Sequence, residues 1–237
     1  MNHDVNIAPS IIYLNNIDSI WQHLDLTDSI QYFWLGKQSY IPIWDLQKEL
    51  HSKRIAGEIP DVVLFLEHDH VYTFGKNSDT NLLLDSKPNN VEVVQIDRGG
   101  QVTYHGPGQL VGYPILNLHN YQMSVSWYMR KLEGVIINSL KTLGLKAFRK
   151  EDFTGVWIGD EKICALGVRL SRWVTMHGFA LNLKPDIKYF DGIIPCGIFN
   201  YGITTIHDQG INISMKTLVK QIASTFSLLF EGKNDEV

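Results

Sequence analysis

The chain is poor in cysteine and has no long apolar run. Its 237 residues contain two cysteines, Cys164 and Cys196. Two are too few for a disulfide framework, so a reducing cytoplasm is the expected location, with a single bridge left open. No apolar run approaches the ~20 residues that cross a membrane. Residues 1–10 lack the basic and apolar regions of a secretory signal and contain no arginine, which argues against a transit peptide. These absences predict a soluble, unprocessed protein without membrane contact.

The sequence also lacks the signatures of nucleic-acid and nucleotide binding. Lysine and arginine total 21 against 25 aspartates and glutamates, a net charge of −4, whereas a nucleic-acid-binding domain is expected to be basic. Neither Gly-x-x-x-x-Gly-Lys-Ser/Thr nor Gly-x-Gly-x-x-Gly occurs. His68 and His70 flank Asp69 on a predicted strand, but no third metal ligand stands out by spacing. We therefore expect no nucleic-acid partner, no metal and no cofactor.

One stretch, residues 97–113, is rich in glycine and also carries reactive side chains. It holds five glycines and Pro107, together with Arg98, Tyr104 and His105. Glycine accepts positive φ and lets backbone approach backbone or ligand. Two interpretations follow: a pair of tight turns between strands, or a loop that wraps a ligand with the three polar side chains as contacts. Glycine content alone leaves both open.

The hydrophobic spacing predicts a mixed architecture of strands and helices. Since the two do not alternate strictly, we expect an α+β (α/β) fold with a large mixed or antiparallel sheet packed by helices. We expect residues 1–29 to form an extension of uncertain order, with a short strand at 11–13, and residues 30–230 to form one domain. The predicted strands are 31–35 (ended by Gly36), 62–67, 71–74, 91–95, 110–118, 153–158, 162–170 and 174–183, and the predicted helices are 40–54, 124–143 and 214–230.

The two cysteines differ in their surroundings. Cys164 lies inside a predicted strand between apolar residues, which is typical of a small buried hydrophobic side chain. Cys196 lies between Pro195 and Gly197 at the end of a loop, and such a turn presents a side chain in a fixed direction. Cys196 is therefore the better candidate nucleophile.

A nucleophilic thiol needs a cation nearby, because a positive charge lowers the thiol pKa and raises the thiolate fraction. Lys162, at the start of a predicted strand, is one candidate, although spacing alone favours an ordinary hairpin lysine. His105 and His177 are others, since each precedes a glycine and is expected to line a constricted place. Each histidine could equally be a hydrogen-bonded core or loop residue.

Four ordered blocks of this sequence closely resemble the octanoyltransferases of lipoate biosynthesis, the lipoyl(octanoyl) transferases. The likeness covers about residues 30–225, and shorter matches at 66–68 and 72–75 precede the four blocks. The blocks are residues 98–109 (Arg-Gly-Gly-Gln-Val-Thr-Tyr-His-Gly-Pro-Gly-Gln), 155–157 with 162–169 (Gly-Val-Trp and Lys-Ile-Cys-Ala-Leu-Gly-Val-Arg), 177–182 (His-Gly-Phe-Ala-Leu-Asn) and 194–197 (Ile-Pro-Cys-Gly).

The resemblance implies a fold, a reaction and partners. The fold is the biotinyl/lipoyl-ligase-like catalytic domain. The reaction moves an octanoyl group from octanoyl-acyl carrier protein, through an enzyme thioester, to a lysine of a lipoyl domain in 2-oxoacid dehydrogenase complexes or the glycine cleavage H protein. Because a thioester is exchanged for an amide, no nucleotide is needed. The enzyme is expected to be a cytoplasmic monomer.

The resemblance also implies roles for particular residues. Cys196 is the nucleophile and Lys162 lowers its pKa, whereas Cys164 stays structural. The residues implied to bind substrate line an acyl pocket: Arg98, Gly99, Gly100, Gln101, Val102, Thr103, Tyr104, His105, Ala165, Leu166, Gly167, Gly178, Phe179 and Ala180. Because acyl carrier proteins are acidic, a local basic patch is expected to dock one. Its candidates are Lys146, Arg149, Lys150, Arg169, Arg172, Lys184 and Lys188.

Three other functions compete with this one. An ATP-dependent lipoate–protein ligase, or an amidotransferase that moves octanoyl between proteins, would use the same fold, and a ligase would not need Cys196. A fatty-acyl binding module would use the glycine-rich stretch as a pocket without catalysis. Lys162 and Cys196 together argue against the binding module.

Overall fold

A computed structural model describes residues 8–76, 78–89, 91–193 and 201–232. The predicted nucleophile, Cys196, lies outside these described residues. Within them, no helix combines the length and apolar character needed to cross a membrane.

Twelve strands and three α-helices are assigned in the described part of the chain. The helices are α1 (Tyr40–Ala56), α2 (Val125–Thr142) and α3 (Met215–Phe230). The strands are β1 (Ile11–Tyr13), β2 (Gln31–Gln38), β3 (Val62–His68), β4 (Val71–Phe74), β5 (Glu92–Gln95), β6 (Thr103–His105), β7 (Gln109–Ile115), β8 (Phe148–Lys150), β9 (Phe153–Ile158), β10 (Glu161–Ser171), β11 (Val174–Asn182) and β12 (Gly202–Ile203).

The described strands form a large sheet and a small one. The large sheet has the order β1-β2-β3-β7-β11-β10-β9-β8, with β12 beside β10, and the small sheet has the order β5-β4-β6. β1, β2 and β3 run parallel, whereas the pairs from β3 to β8 are antiparallel. The predicted mixed sheet is thereby confirmed.

Helices cover both faces of the large sheet. Successive side chains of a strand point to opposite faces, and Tyr32 packs in the core under α2 and α3 while Phe33 packs in the core under α1. Because both faces are covered, a strand such as β3 can be apolar at consecutive positions. This double burial explains the continuous apolar run at 62–66.

The helix ends follow local sequence signals. Ser124 accepts a hydrogen bond from the amide of Trp127, and Ser214 accepts one from the amide of Thr217, so each serine caps the first turn of its helix. Gly57 ends α1 with a φ of 75°, a left-handed conformation that favours glycine. The three predicted helices are confirmed, with bounds shifted by at most two residues.

Some strand predictions were wrong in detail. Gly36 does not end β2: it adopts a φ of 69° at a register shift, and the strand continues to Gln38. A glycine in a strand can mark a bulge instead of an end. β6 and β8 were not predicted, because three residues are too few to show a hydrophobic period. The predicted strand 110–118 ends at Ile115.

Part of the predicted N-terminal extension packs on the domain. The predicted strand at 11–13 is β1, which pairs with β2 at the edge of the large sheet. A 3-10 helix over Ile17–Gln22 follows, and Ile20 is fully buried in the core on the α1 side. The division between extension and domain at residue 29 stays a prediction.

Candidate active site

A cavity of about 580 Å³ lies between the glycine-rich stretch and the middle strands of the large sheet. β10 and β11 form its wall, and residues 98–103 close over it. Of the predicted site residues that the structure describes, all but Tyr104 line this cavity: Arg98, Gly99, Gly100, Gln101, Val102, Thr103, His105, Lys162, Ala165, Leu166, Gly167, Gly178, Phe179 and Ala180. Residues 98–105 and 162–180, which are far apart in the sequence, therefore meet in one place.

Tyr104 faces away from the cavity because side chains alternate along β6. Its ring stacks on Tyr189 at 5.3 Å, and its hydroxyl is 2.7 Å from Nδ1 of His70. The neighbours Thr103 and His105 line the cavity instead. Tyr104 thus helps to fix the 3-10 helix Ile187–Gly192 against the small sheet.

Arg98 holds the glycine-rich stretch in its folded shape. Its guanidinium donates to the carbonyls of Gly99 and Gln101 at 3.0 and 2.8 Å, and to the carbonyl and hydroxyl of Thr73 at 2.8 and 3.0 Å. The amide of Gly99 donates to the Val168 carbonyl at 3.0 Å, which ties the stretch to β10. The stretch therefore turns between strands and also lines the cavity over residues 98–105, except at Tyr104, while ligand binding by Arg98 and His105 stays a prediction.

Two glycines allow this close approach. Gly167 and Gly178 are cross-strand partners on β10 and β11. A Cβ at Gly167 would lie 3.1 Å from the Gly99 carbonyl oxygen and 3.1 Å from Cδ of Arg98, and one at Gly178 would overlap the Gly112 carbonyl. Any larger side chain would push the wall or the neighbouring strand away.

Sequence reasoning missed a hydrogen-bond chain that sets the tautomer of His105. The side-chain amide of Asn182 donates to the Thr204 carbonyl, and its oxygen accepts from Nε2 of Gln109 at 3.0 Å. The Gln109 oxygen is then the acceptor for Nδ1 of His105, 2.8 Å away. His105 is therefore protonated on Nδ1, which leaves its Nε2 as an acceptor. Gln109 and Asn182 stand inside the recognised blocks, but their pairing across 73 residues has no local signal.

Burial keeps two histidines of this region neutral. It lowers the pKa of His68 to about 4 and that of His105 to about 3. His68 donates from Nδ1 to the Gln38 carbonyl and accepts from the Tyr113 hydroxyl at 2.8 Å. His70 instead contacts Tyr104, so His68 and His70 have different partners. In the four described ranges, no group of three or more histidine, cysteine or acidic side chains could hold a metal ion.

We expect the protein to lose stability as the pH falls from about 6.5 to 4. Unfolded histidines bind protons near pH 6.5, whereas His68 and His105 resist protonation when folded, so falling pH favours unfolding. Each contributes up to about 1.4 kcal/mol per pH unit in this window, and above pH 6.5 the contribution is fully present. Urea unfolding of wild type and His105→Asn at several pH values measures this. An unchanged pH slope in the variant would contradict the assignment.

His177 has a strained backbone at the cavity. Its φ is 61°, which non-glycine residues rarely adopt. Nε2 donates to Asp97 at 3.0 Å, and Asp97 also pairs with Arg169 at 2.6 Å. The hydrogen bond from His177, with a smaller contribution from Arg169, lowers the pKa of Asp97 to about 2. His177 is thus fixed beside the cavity by a charged partner.

Lys162 lies in the same cavity and is 6% exposed. Its Nζ is 4.8 Å from the ring centroid of Trp157, its cross-strand partner on β9. The register shifts between Lys162 and Cys164, which indicates a bulge in β10. The bulge lets Lys162 face the cavity while Cys164, two residues on, is fully buried in the core. Burial raises the pKa of the Cys164 thiol, so this cysteine is a poor nucleophile.

The segment that carries Cys196 is flanked by cavity residues. Phe190 precedes the segment 194–200 and Ile203 follows it, and both line the cavity. Ile203 is also the β-ladder partner of Lys162, through β12. The described chain therefore reaches the cavity on both sides of this segment, and on its C-terminal side it pairs with Lys162.

Three of the seven predicted docking residues are engaged in ion pairs. Arg149 pairs with Glu133, Lys150 with Asp160, and Arg169 with Asp97. The docking patch stays a prediction.

Comparisons with known proteins agree with this geometry. The sequence model of the lipoyl protein ligase A/B catalytic domain matches residues 39–227. The octanoyltransferase of Gloeobacter violaceus is 50% identical over 165 residues, which cover 69% of this chain and 73% of that protein. The octanoyltransferase of Flavobacterium johnsoniae is 46% identical over 230 residues, which cover 88% and 99%.

Solved structures show the same fold. The bipartite lipoate protein ligase of Thermoplasma acidophilum matches with a TM-score of 0.65 at 16% identity, covering 86% of this chain and 84% of that one. The predicted lipoyl-ligase-like fold is confirmed. The match of the family model to residues 39–227, and 46–50% identity to curated relatives, show that the chain belongs to the lipoyl protein ligase A/B catalytic domain family and, within it, to the octanoyltransferases of protein lipoylation.

Proposed function

We propose that the octanoyl group comes from octanoyl-acyl carrier protein, is held as a thioester on Cys196, and passes to a lysine of a lipoyl domain. The observation that carries this proposal is the position of Lys162, which is buried in the cavity and pairs with Ile203, just after the segment that contains Cys196. A lysine ammonium next to a cysteine stabilises the thiolate. The resemblance of the sequence blocks to the octanoyltransferases implies the same pair.

In the first step, the Cys196 thiolate attacks the carbonyl carbon of the donor thioester. The bond from that carbon to the phosphopantetheine sulfur breaks, and the departing thiolate takes a proton from the Lys162 ammonium. In the second step, the acceptor amine attacks the acyl-cysteine, and Lys162 receives the proton that the amine loses. The carbon–sulfur bond to Cys196 then breaks, which yields the amide and regenerates the thiolate. Two protein substrates thereby use one site in turn.

The cavity wall suits an eight-carbon chain. Leu166, Phe179 and Val102 offer apolar surface, and the lack of side chains at Gly167 and Gly178 lets neighbouring backbone pack closely against this wall. Burying the seven CH₂ and CH₃ groups of octanoyl contributes on the order of 5 kcal/mol at ~0.8 kcal/mol per group. This binding energy holds the thioester end toward Lys162.

The acceptors we propose are the lipoyl domains of 2-oxoacid dehydrogenase complexes and the glycine cleavage H protein. A cytoplasmic location is consistent with the two cysteines, since thiol catalysis needs a reduced cysteine. We expect a monomer, as the resemblance to the octanoyltransferases implies.

Mass spectrometry tests the proposal. Incubation with octanoyl-acyl carrier protein, without ATP, should add one octanoyl group, and peptide mapping should place it on Cys196. Addition of a lipoyl domain should then discharge the adduct onto a lysine. The variant Cys164→Ala is a matched control that should keep the adduct. An adduct on another residue, or an acyl transfer that requires ATP, would overturn the proposal in favour of a different mechanism or a ligase.

Gly167→Val is expected to raise the KM for the octanoyl donor about 10-fold or more. The valine side chain would occupy space between β10 and Arg98, where a Cβ already lies 3.1 Å from its neighbours. Steady-state kinetics with octanoyl and butanoyl donors measures the effect. The shorter chain should be affected less, and an equal loss for both donors would argue against an acyl wall at this position.

A further inference from the structure

A buried carboxylate that the proposed mechanism does not use lies behind Lys162. Glu133, on α2, is 3% exposed. We propose that Glu133 is a positioning residue for Lys162 and acts through the backbone of Gly155. This inference rests on the proposed role of Lys162 in octanoyl transfer.

The Glu133 carboxylate divides its contacts between two sides. Oε2 accepts from Nη1 of Arg130 and from Nε of Arg149, each at 3.0 Å. Oε1 accepts from the backbone amide of Gly155 at 3.3 Å. The arginines compensate the buried charge, and Oε1 orients the peptide group that precedes Gly155.

The backbone at Gly155 leaves no space for a side chain beside Lys162. A Cβ at Gly155 would lie 3.3 Å from Cε of Lys162, 3.5 Å from its Cδ and 2.8 Å from the Cys164 carbonyl oxygen. The φ of Gly155 is 130°, a conformation that L side chains rarely adopt. Only a glycine held at this angle brings the strand so close to the lysine stem.

Trp157 bounds the lysine on the same strand. Gly155 and Trp157 are two residues apart on β9 and share a face, and Nζ of Lys162 is 4.8 Å from the Trp157 ring centroid. The lysine stem therefore runs along one face of β9, between glycine backbone and indole. Because Glu133 fixes the Gly155 peptide, it fixes one of the two groups that bound the Lys162 side chain.

If Glu133 positions Lys162, its loss should slow the reaction. A misplacement of about 1 Å in a catalytic group can cost 10²-fold in rate. Glu133→Ala removes the acceptor for the Gly155 amide, so we expect the rate of acyl-cysteine formation to fall about 10- to 100-fold. Glu133→Gln keeps an oxygen acceptor and should recover most of the rate.

The pH profile of Cys196 alkylation separates positioning from a field effect. Loss of the Glu133 negative charge would, by electrostatics alone, favour the Cys196 thiolate and lower the pH midpoint of alkylation. Displacement of the Lys162 ammonium would disfavour the thiolate and raise that midpoint. We expect the midpoint to rise in Glu133→Ala and in Glu133→Asp, which keeps the charge but withdraws it from Gly155. A midpoint that falls or stays unchanged in both variants would overturn the inference.

Two further variants complete the test. Asp61→Asn alters another buried, arginine-paired carboxylate, and it should lower stability without moving the alkylation profile. In a Lys162→Met background, Glu133→Asp should have no further effect on the profile, because coupled residues are not additive. If Lys162→Met alone leaves the profile unchanged, the proposed role of Lys162 fails. If Lys162→Met shifts it and the Glu133 variants do not, the positioning inference alone fails.

Discussion

Lys162→Met is expected to slow octanoyl transfer by about 10²- to 10⁴-fold, the usual contribution of a general acid–base group. Methionine keeps the length and apolar stem of the side chain but removes the ammonium that we propose stabilises the thiolate and moves protons. Lys162 is buried, and a bulge in β10 directs it into the cavity. Single-turnover mass spectrometry should show slower formation and slower discharge of the acyl-cysteine.

The chain offers a matched control in Lys150. Its Nζ also lies near Trp157, 5.0 Å from the ring centroid, and 3.9 Å from the ring centroid of Tyr201. Lys150 does not line the cavity that holds Lys162. At saturating octanoyl-acyl carrier protein, where a weaker docking contact has no effect, we therefore expect Lys150→Met to change the transfer rate less than about threefold. Equal losses in both variants would mean that the indole contact, and not the ammonium in the cavity, explains the effect.

Asp61→Ala is expected to lower the free energy of unfolding by about 3–5 kcal/mol, as for other broken buried ion pairs. Its carboxylate accepts from Nε of Arg54 at 2.6 Å, from the amide of Asn117 at 2.8 Å and from the hydroxyl of Tyr121 at 2.9 Å. Alanine would leave three donors without this acceptor, including a guanidinium that is 11% exposed. Urea unfolding at pH 7.5 measures the loss.

Asp69→Ala provides the comparison on the surface. Asp69 pairs with Lys37 at 3.1 Å and with the Ser39 hydroxyl at 3.0 Å, but its side chain is 51% exposed. Exposed ion pairs contribute about 0–1 kcal/mol. A loss at Asp61 no larger than the loss at Asp69 would show that burial does not strengthen the Asp61 network.

Local signals were sufficient for the helices. Each helix end depends on residues within four positions of it: the capping serines Ser124 and Ser214, and the terminal Gly57. A short window of sequence is therefore enough to predict where these helices begin or end. The short strands β6 and β8 had no such signal. β6 pairs with β4, which lies about 30 residues earlier in the chain. β8 pairs with β9 in a hairpin that contains a register shift.

The direction of side chains could not be predicted from the blocks. Tyr104 stands between two cavity residues, yet the pleat of β6 turns it toward Tyr189. The bulge in β10 separates Lys162 from Cys164, although residues two apart on a regular strand share a face. Both outcomes depend on strand register, which is set when distant segments pair.

By itself, the sequence determined the chemical groups of the site and their order: a glycine-rich wall, Lys162, the Gly167–Gly178 region and the cysteine block at 194–197. Only the tertiary structure decided which of these groups share a cavity and what holds them there. The Glu133–Gly155 and Gln109–Asn182 hydrogen bonds join residues 22 and 73 positions apart. Periodicity and capping act over a few residues, whereas these contacts exist only after the sheet has brought distant strands together.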